Sequence, residues 1–335
     1  MQSLHRVAPL TTFVGPSSRA RPMSEMMQSQ STEPVSAAPA REALAWAVRL
    51  SENPDTAGPR PEKPTAASWG ALSVAELRAG LDELLVKRNV EDALQALQEL
   101  GAFAVWLPEL EAMVGFGDGE WRHKDVWKHT KQVVKQSVPR LEVRWGALLH
   151  DIGKPRTRKI TDDGQVTFYG HSEVGAAMFR KKVRKRLGFE GPLADRIHFL
   201  ILHHLRASQY EASWTDAAVR RFYKQMGDGL RDLLDLSRAD ITTKRPEKRR
   251  RGVAQISALA KRIKALEAVD SKVAPLPKGL GQHLMDALGL PPGKELGNIR
   301  KNLEREADEG LIEAGREAEY YVELVKSDPD RYRAV

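Results

Sequence analysis

From Ser73 onward the chain repeats one pattern: apolar residues return every three or four positions, segment after segment, and such stripes are buried only by packing helix on helix. The first stripe is Val74, Leu77, Leu81, Leu84 and Leu85. Ser73 and Glu76 precede and open it with the spacing of a capping box, which predicts a helix start there. A second stripe runs from Val90 to Leu100 and is stopped by Gly101. Further helical periods occupy 124–138, 141–150, 171–187, 192–205, 215–226, 228–240, 250–269, 280–288, 293–309 and 313–326. Only Val166 to Tyr169 reads as extended, too short to build a sheet. No repeat of fixed period is present, so the expected fold is all-α, a bundle or solenoid of short helices.

Upstream the pattern changes. Residues 1 to about 40 are rich in Ser, Pro, Thr, Gln and Ala and carry no period, which predicts disorder. A short apolar helix, Glu42 to Leu50, and a Pro-rich stretch, Asn53 to Pro64, read as the rest of a leader and linker over 1–70, with the folded body starting near Ser73. Pro9, Thr11 and Thr12 interrupt the apolar start, so no secretory core is read there. No apolar run approaches the roughly 20 residues of a membrane span. The chain is therefore expected to be cytoplasmic, with no membrane partner. There is no cysteine, which excludes disulfides and thiolate metal sites.

The formal net charge of +8 suggests a polyanionic partner. It is concentrated in two runs: Arg180 to Arg186 holds six basic residues in seven, and Lys244 to Arg251 six in eight. Each run can also be a solvated helix face or loop. If they guide phosphate, Lys181, Lys182, Arg184 and Lys185 do so in the first, and Lys244, Arg245, Arg249 and Arg250 in the second.

The histidines point to chemistry. Of nine, five fall between 129 and 204 at positions helices can turn inward: His129, His150, His171, His203 and His204. Imidazole mixed with carboxylate, without Cys, suits a divalent ion used for hydrolysis more than structural zinc. His150 and Asp151 are adjacent. Neighbours on a helix diverge by about 100°, but at a helix end both can reach one ion, and Gly153 and Pro155 end this helix. Asp125, a turn before His129, is a further candidate ligand or a helix cap.

The string HDIGKP at 150–155, preceded by His129 in DVWKHT and followed by Asp240 in SRAD, resembles the H…HD…D signature of the HD phosphohydrolase superfamily. The resemblance implies that His129, His150, Asp151 and Asp240 ligate a divalent metal (Mn, Ni, Co, Mg or Fe). It further implies that His171 of FYGHSEVGA and the His203–His204 pair serve a second ion, giving one or two ions per chain. Asp151 would bridge the ions and orient the attacking hydroxide. Lys154 would neutralise phosphate in the transition state, with Arg158 assisting.

The likeness extends further. Leu77 to Leu110 resembles the neck, and KGLGQHLMDALGLPPGKELGNIRKNLEREADEGLI at 278–312 the body and tail, of bacterial CCA-adding tRNA nucleotidyltransferases. That resemblance divides the chain into a leader and linker at 1–70, a neck-like segment at 71–120, an HD bundle at 121–250 and an RNA-binding tail at 251–335. The family's nucleotidyltransferase head has no counterpart upstream here, so CCA polymerisation is not expected. The expected activity is that of a phosphatase or 2′,3′-cyclic phosphodiesterase on nucleotides or on RNA ends such as those of tRNA. The alternative is a non-catalytic tRNA-binding module. Cleavage of a cyclic dinucleotide or alarmone is a third possibility, lowered because the GYP element associated with cyclic di-GMP hydrolysis is missing.

Overall fold

The computed structural model describes residues 35–116, 125–270 and 275–333. Met1–Val35 and Ser36–Val335 are separate units, and the fold below is that of the second. The disorder expected over the first forty residues lies almost wholly outside the described ones.

Packed structure is already present from Ser36, ahead of Ser73, which corrects the expected linker. Helix α1 (Ala38–Glu52) buries Ala40, Ala43, Leu44, Trp46 and Ala47 against α3 (Val74–Leu85) and α4 (Val90–Glu99). Burial of Leu44 and Trp46 alone is worth about 2–3 kcal/mol each. The Pro-rich stretch that follows is folded back on this helix: Trp46 Nε1 donates to Gly58 O at 3.1 Å and Arg49 Nε to Ala57 O at 3.2 Å. In α2 (Ala66–Gly70), Trp69 is fully buried and donates to Leu100 O at 2.9 Å. These are tertiary bonds between side chains and distant carbonyls, which composition does not announce.

The capping box at the start of α3 forms in both directions, Ser73 with Glu76, and Gly101 ends the α4 segment at φ +89°, a left-handed value that favours glycine. Helices α5 (Ala102–Trp106) and α6 (Pro108–Glu111) complete this layer. The central bundle is built from α7 (Val126–Gln136), α8 (Leu141–Leu149), α12 (Gly191–His203) and α14 (Leu230–Ala239). Helices α8 and α12 cross so closely that a Cβ at Gly146 would lie 2.7 Å from Leu200.

Between α8 and α12 come α9 (Lys154–Thr157) and a hairpin of β1 (Lys159–Ile160) and β2 (Val166–Thr167). The strands are antiparallel, with Lys159 opposite Thr167 and Ile160 opposite Val166. The extended segment seen in the sequence thus finds a partner, though a minimal one. Next, α10 (His171–Met178) runs through a π-helical turn at Phe179–Val183 into α11 (Arg184–Arg186). Helices α13 (Asp216–Met226) and α15 (Pro246–Asp270) close the main core, which extends from Ala40 to Leu266.

A second core follows. Helices α16 (Leu280–Leu288), α17 (Lys294–Asp308), α18 (Ala318–Ser327) and α19 (Pro329–Arg333) bury Leu284, Ile299, Leu303, Tyr321, Val325 and Tyr332 among themselves. The fold is all-α, and none of its described helices is long and apolar enough to cross a membrane.

Candidate metal centre

Three helices of the central bundle end at one point. His150 caps the C-terminus of α8, His204 that of α12 and Asp240 that of α14, while Asp151 follows His150 directly. A helix C-terminus carries partial negative charge, so three of them converging favour a cation between them. His129 on α7 and His171, the first residue of α10, complete the cluster.

The side chains form two sets. One ligand atom each from His129, His150 and Asp240 lie within 4.8 Å of one another, and the same holds for Asp151, His171 and His204. Asp151 joins the sets: its Oδ2 is 3.2 Å from His150 Nε2 and 3.5 Å from His129 Nε2, and its Oδ1 is 3.4 Å from His171 Nε2 and 3.9 Å from His204 Nε2. Asp240 Oδ1 lies 2.9 Å from His129 Nε2 and 3.6 Å from His150 Nε2.

The donor chemistry fits a divalent ion. Nδ1 of His150 donates to Ala147 O at 2.7 Å, that of His171 to Phe168 O at 2.8 Å, and that of His204 to Ile201 O at 2.8 Å. Each backbone carbonyl fixes its ring proton on Nδ1, so in the neutral rings Nε2 presents a lone pair. Nε2 of His171 faces that of His204 at 3.1 Å, and Nε2 of His150 faces that of His129 at 3.3 Å. Two acceptors so close repel unless a positive charge lies between them. Two nitrogens each about 2.1 Å from a common ion are separated by roughly this much. Asp151 Oδ1 adds a second sign, since it is buried and has no hydrogen-bond partner.

Electrostatics agree. Burial opposes a charge on His150, but the Asp151 carboxylate and hydrogen bonds donated to Asp151 and Asp240 outweigh it and raise the ring to about 10. Burial likewise opposes ionisation of Asp151, yet His150 and Lys154 hold it well below the usual carboxylate range. Burial, with His150 beside it, pushes His204 down to about 4, and burial lowers His171 as well, so both rings stay neutral as ligands must. The pocket asks for positive charge at its middle, and Lys154, with Nζ 2.6 Å from Asp151 Oδ2, supplies only one.

Of the expected ligands, His129, His150, Asp151, His171, His204 and Asp240 are brought together. His203 is not: its ring lies against that of Phe199, 4.8 Å between centroids and tilted by 57°. Asp125 is the N-cap of α7, its carboxylate accepting from Lys128 N at 3.0 Å, which accounts for it without a metal.

The two basic runs also separate. Lys181 and Lys182 lie ten and eleven residues beyond His171, about 15 Å along the helix, and with Lys185 they are exposed; Arg184 turns back to donate to Phe189 O. Lys244, Arg245, Arg249 and Arg250 are exposed on the segment that follows Asp240 directly, with Arg249 bound to Gln136 and Arg250 paired with Glu247. Arg158 is exposed, its guanidinium 5.7 Å over the Phe116 ring.

Sequence reading missed Thr242, whose Oγ1 is 2.8 Å from His129 Nδ1. His129 is thus the one cluster histidine held by a hydroxyl rather than by a carbonyl. No local pattern marks a threonine for this role. Gly153, read from the sequence as ending a helix, has a second role: a Cβ there would lie 2.1 Å from His171 O and 2.8 Å from Gly175 N, so that the turn after Asp151 and helix α10 meet backbone to backbone.

Residues 124–271 match the HD domain family. The chain is also similar to the A-adding tRNA nucleotidyltransferase of Deinococcus radiodurans, 32% identical over 74% of this chain and 57% of the relative. A CC-adding tRNA nucleotidyltransferase of Thermus thermophilus is 31% identical over 72% of this chain and 54% of its own length. The Multifunctional CCA protein of Pseudomonas aeruginosa is 33% identical over 35% and 27% respectively. The chain spans little more than half the length of the first two relatives.

Proposed function

Given that residues 124–271 are an HD domain, a fold of the metal-dependent hydrolase superfamily, we propose that the chain is a metal-dependent phosphatase or 2′,3′-cyclic phosphodiesterase acting on nucleotides or RNA ends. The observation that carries this reading is the set of mutually facing ring nitrogens around Asp151, whose Oδ1 is buried without a partner. His129, His150, Asp151 and Asp240 would hold a divalent ion, with His171 and His204 available to a second, and such an ion would supply Lewis acidity toward a phosphoryl oxygen and lower the pKa of water.

The rest is the work of the chain itself. His150, Asp151 and His204 are 1% exposed at their side chains, whereas His129, Asp240 and Lys154 are 20%, 24% and 21% exposed. Substrate therefore approaches from the side of these last three. There Lys154 offers a cation already held in place, so it stabilises charge developing on phosphate without reorganising. Lys244, Arg245 and Arg249 flank Asp240 and draw a polyanion toward that opening.

A second reading, a module that holds tRNA without turning over phosphate esters, draws support from relatives named as tRNA nucleotidyltransferases whose likeness covers about three quarters of the chain. One experiment separates the two. Wild type and Asp151→Ala are assayed with Mn, Ni, Co or Mg added singly, against 2′,3′-cyclic AMP, 2′-AMP and tRNA ending in a cyclic phosphate. Metal-dependent release lost in the variant supports the hydrolase. No turnover with any metal, alongside salt-sensitive tRNA binding, overturns it in favour of the module.

A further inference from the structure

Among the described residues only one aromatic side chain is exposed, and it sits beside the metal cluster. Tyr169 is 85% exposed, while every other described Phe, Tyr and Trp is buried or half-buried. It makes no hydrogen bond and no ring contact within the described fold. Leaving such a ring in water forgoes about 2 kcal/mol of burial, and the surrounding backbone holds it there. Phe168, Tyr169, Gly170 and His171 form a turn closed by His171 N donating to Phe168 O at 3.1 Å. Gly170 has φ +75° and ψ +13°, the third position of a type II turn, which glycine fills without strain. The same Phe168 carbonyl accepts from His171 Nδ1, so the turn that displays Tyr169 is anchored to a candidate metal ligand.

The neighbourhood has the charge a nucleotide requires. Lys154 Nζ, bound to Asp151, lies 5.8 Å from the Phe168 ring centre. The Phe168 ring is 6.1 Å from that of Phe116, over which Arg158 is placed. Arg156, Arg158 and Lys159 are exposed and take no carboxylate partner among the described residues. A fixed cation at Lys154 and the exposed cations Arg156, Arg158 and Lys159 thus lie on the same stretch of chain as the exposed ring and His171. Base–aromatic stacking tolerates any base and needs only an accessible, rigid ring, whose conformational entropy is already low.

We infer that Tyr169 is a stacking platform for the base of an unpaired terminal nucleotide whose phosphate is directed to the cluster beside Lys154. This deepens the proposed function and rests on it for the fate of the phosphate. It makes the substrate class a nucleoside phosphate or single-stranded 3′ end, not a base-free phosphate ester.

The test compares wild type, Tyr169→Ala and Tyr169→Phe in two arms. In the first, kcat/KM is measured for 2′,3′-cyclic AMP and for the base-free cyclic phosphate of ribose. The ratio of the two is expected to fall about ten-fold or more in the Ala variant, through KM, and to be kept in the Phe variant, because the ring face and not the hydroxyl carries the stack. An unchanged ratio overturns the platform. In the second arm, binding of a short labelled single-stranded RNA with a 3′-phosphate is followed by anisotropy, which needs no catalysis. Weakening in Ala but not in Phe is expected, and equal binding by all three overturns the platform. If wild type turns over neither ester, the hydrolase reading fails while the second arm still decides for or against Tyr169.

Discussion

Gly153→Ala places one methyl carbon where the structure has no room for it. The added Cβ would lie 2.1 Å from His171 O, 2.8 Å from Gly175 N and 3.0 Å from His171 C, all backbone atoms that no rotamer change can move aside. Contacts of this kind are not seen under 3.0 Å, so the start of α10 must retreat by about 1 Å or the turn after Asp151 must open by as much. Overpacking of a close-packed interior costs about 1–3 kcal/mol, and a clash with backbone atoms of α10 belongs at the upper end. At roughly 2–4 °C per kcal/mol, thermal unfolding should fall by about 5–10 °C. The same displacement carries His171 away from Asp151 Oδ1 and His204 Nε2, now 3.4 and 3.1 Å distant, and so should weaken binding of Mn(II) to the metal-depleted protein by ten-fold or more. Circular dichroism melts and titration calorimetry read the two effects. Gly297→Ala is the control, a helical position on α17 with nothing within 4 Å of the added carbon, and should leave unfolding equal to or slightly above wild type. Wild-type melting and metal affinity in Gly153→Ala would refute the claim that backbone contact sets the position of α10.

Three further outcomes are expected. Mn(II) at about one hundred times its dissociation constant should stabilise the folded chain by about 2.7 kcal/mol, seen as a rise in melting temperature that Asp151→Asn abolishes. Thr242→Val keeps the shape of the side chain but leaves His129 Nδ1 without its hydroxyl, so metal affinity should drop ten- to a hundred-fold, and Thr242→Ser should recover most of it; equal affinities in all three would show the contact to be idle. Asp270 accepts from Arg220 and from Tyr223 Oη at 2.7 Å; burial opposes its ionisation, but these bonds hold it below the usual carboxylate value. Its contribution, about 1 kcal/mol for a half-buried pair, is therefore present above the unfolded pKa near 4 and lost as the pH falls through the lower folded value. Urea melts of Asp270→Asn should show that deficit at pH 7 and not at pH 2.5; a deficit of the same size at both would place the effect elsewhere.

What the sequence could disclose depended on how local the controlling interaction is. The capping box of Ser73 and Glu76 and the stop at Gly101 involve residues three apart or a single backbone conformation, and both stand as read. The gathering of His129, His150, Asp151 and Asp240 was legible because adjacency at a helix end and a recognisable order of residues constrain it. His203 against His204 was not, since one residue of helical phase decides which ring faces the cluster and the end of a helix is where phase is hardest to assign. The burial of α1 was hidden for another reason. Its partners are the carbonyls of a Pro-rich stretch and the faces of α3 and α4, and composition treats such a stretch as linker whether or not it is pinned down. Thr242 and Gly153 act across 113 residues and across an interhelical contact respectively, distances at which a single sequence offers no pairing signal.

Helix α15 is a ruler. It leaves the segment that carries Asp240 and Thr242 and runs 25 residues to Asp270, a span of about 37 Å at 1.5 Å per residue. The second core begins a few residues after its far end. A mononucleotide reaches a small fraction of that length. A ligand that ran the whole length of α15 would therefore have to be a polymer, its span set by the helix.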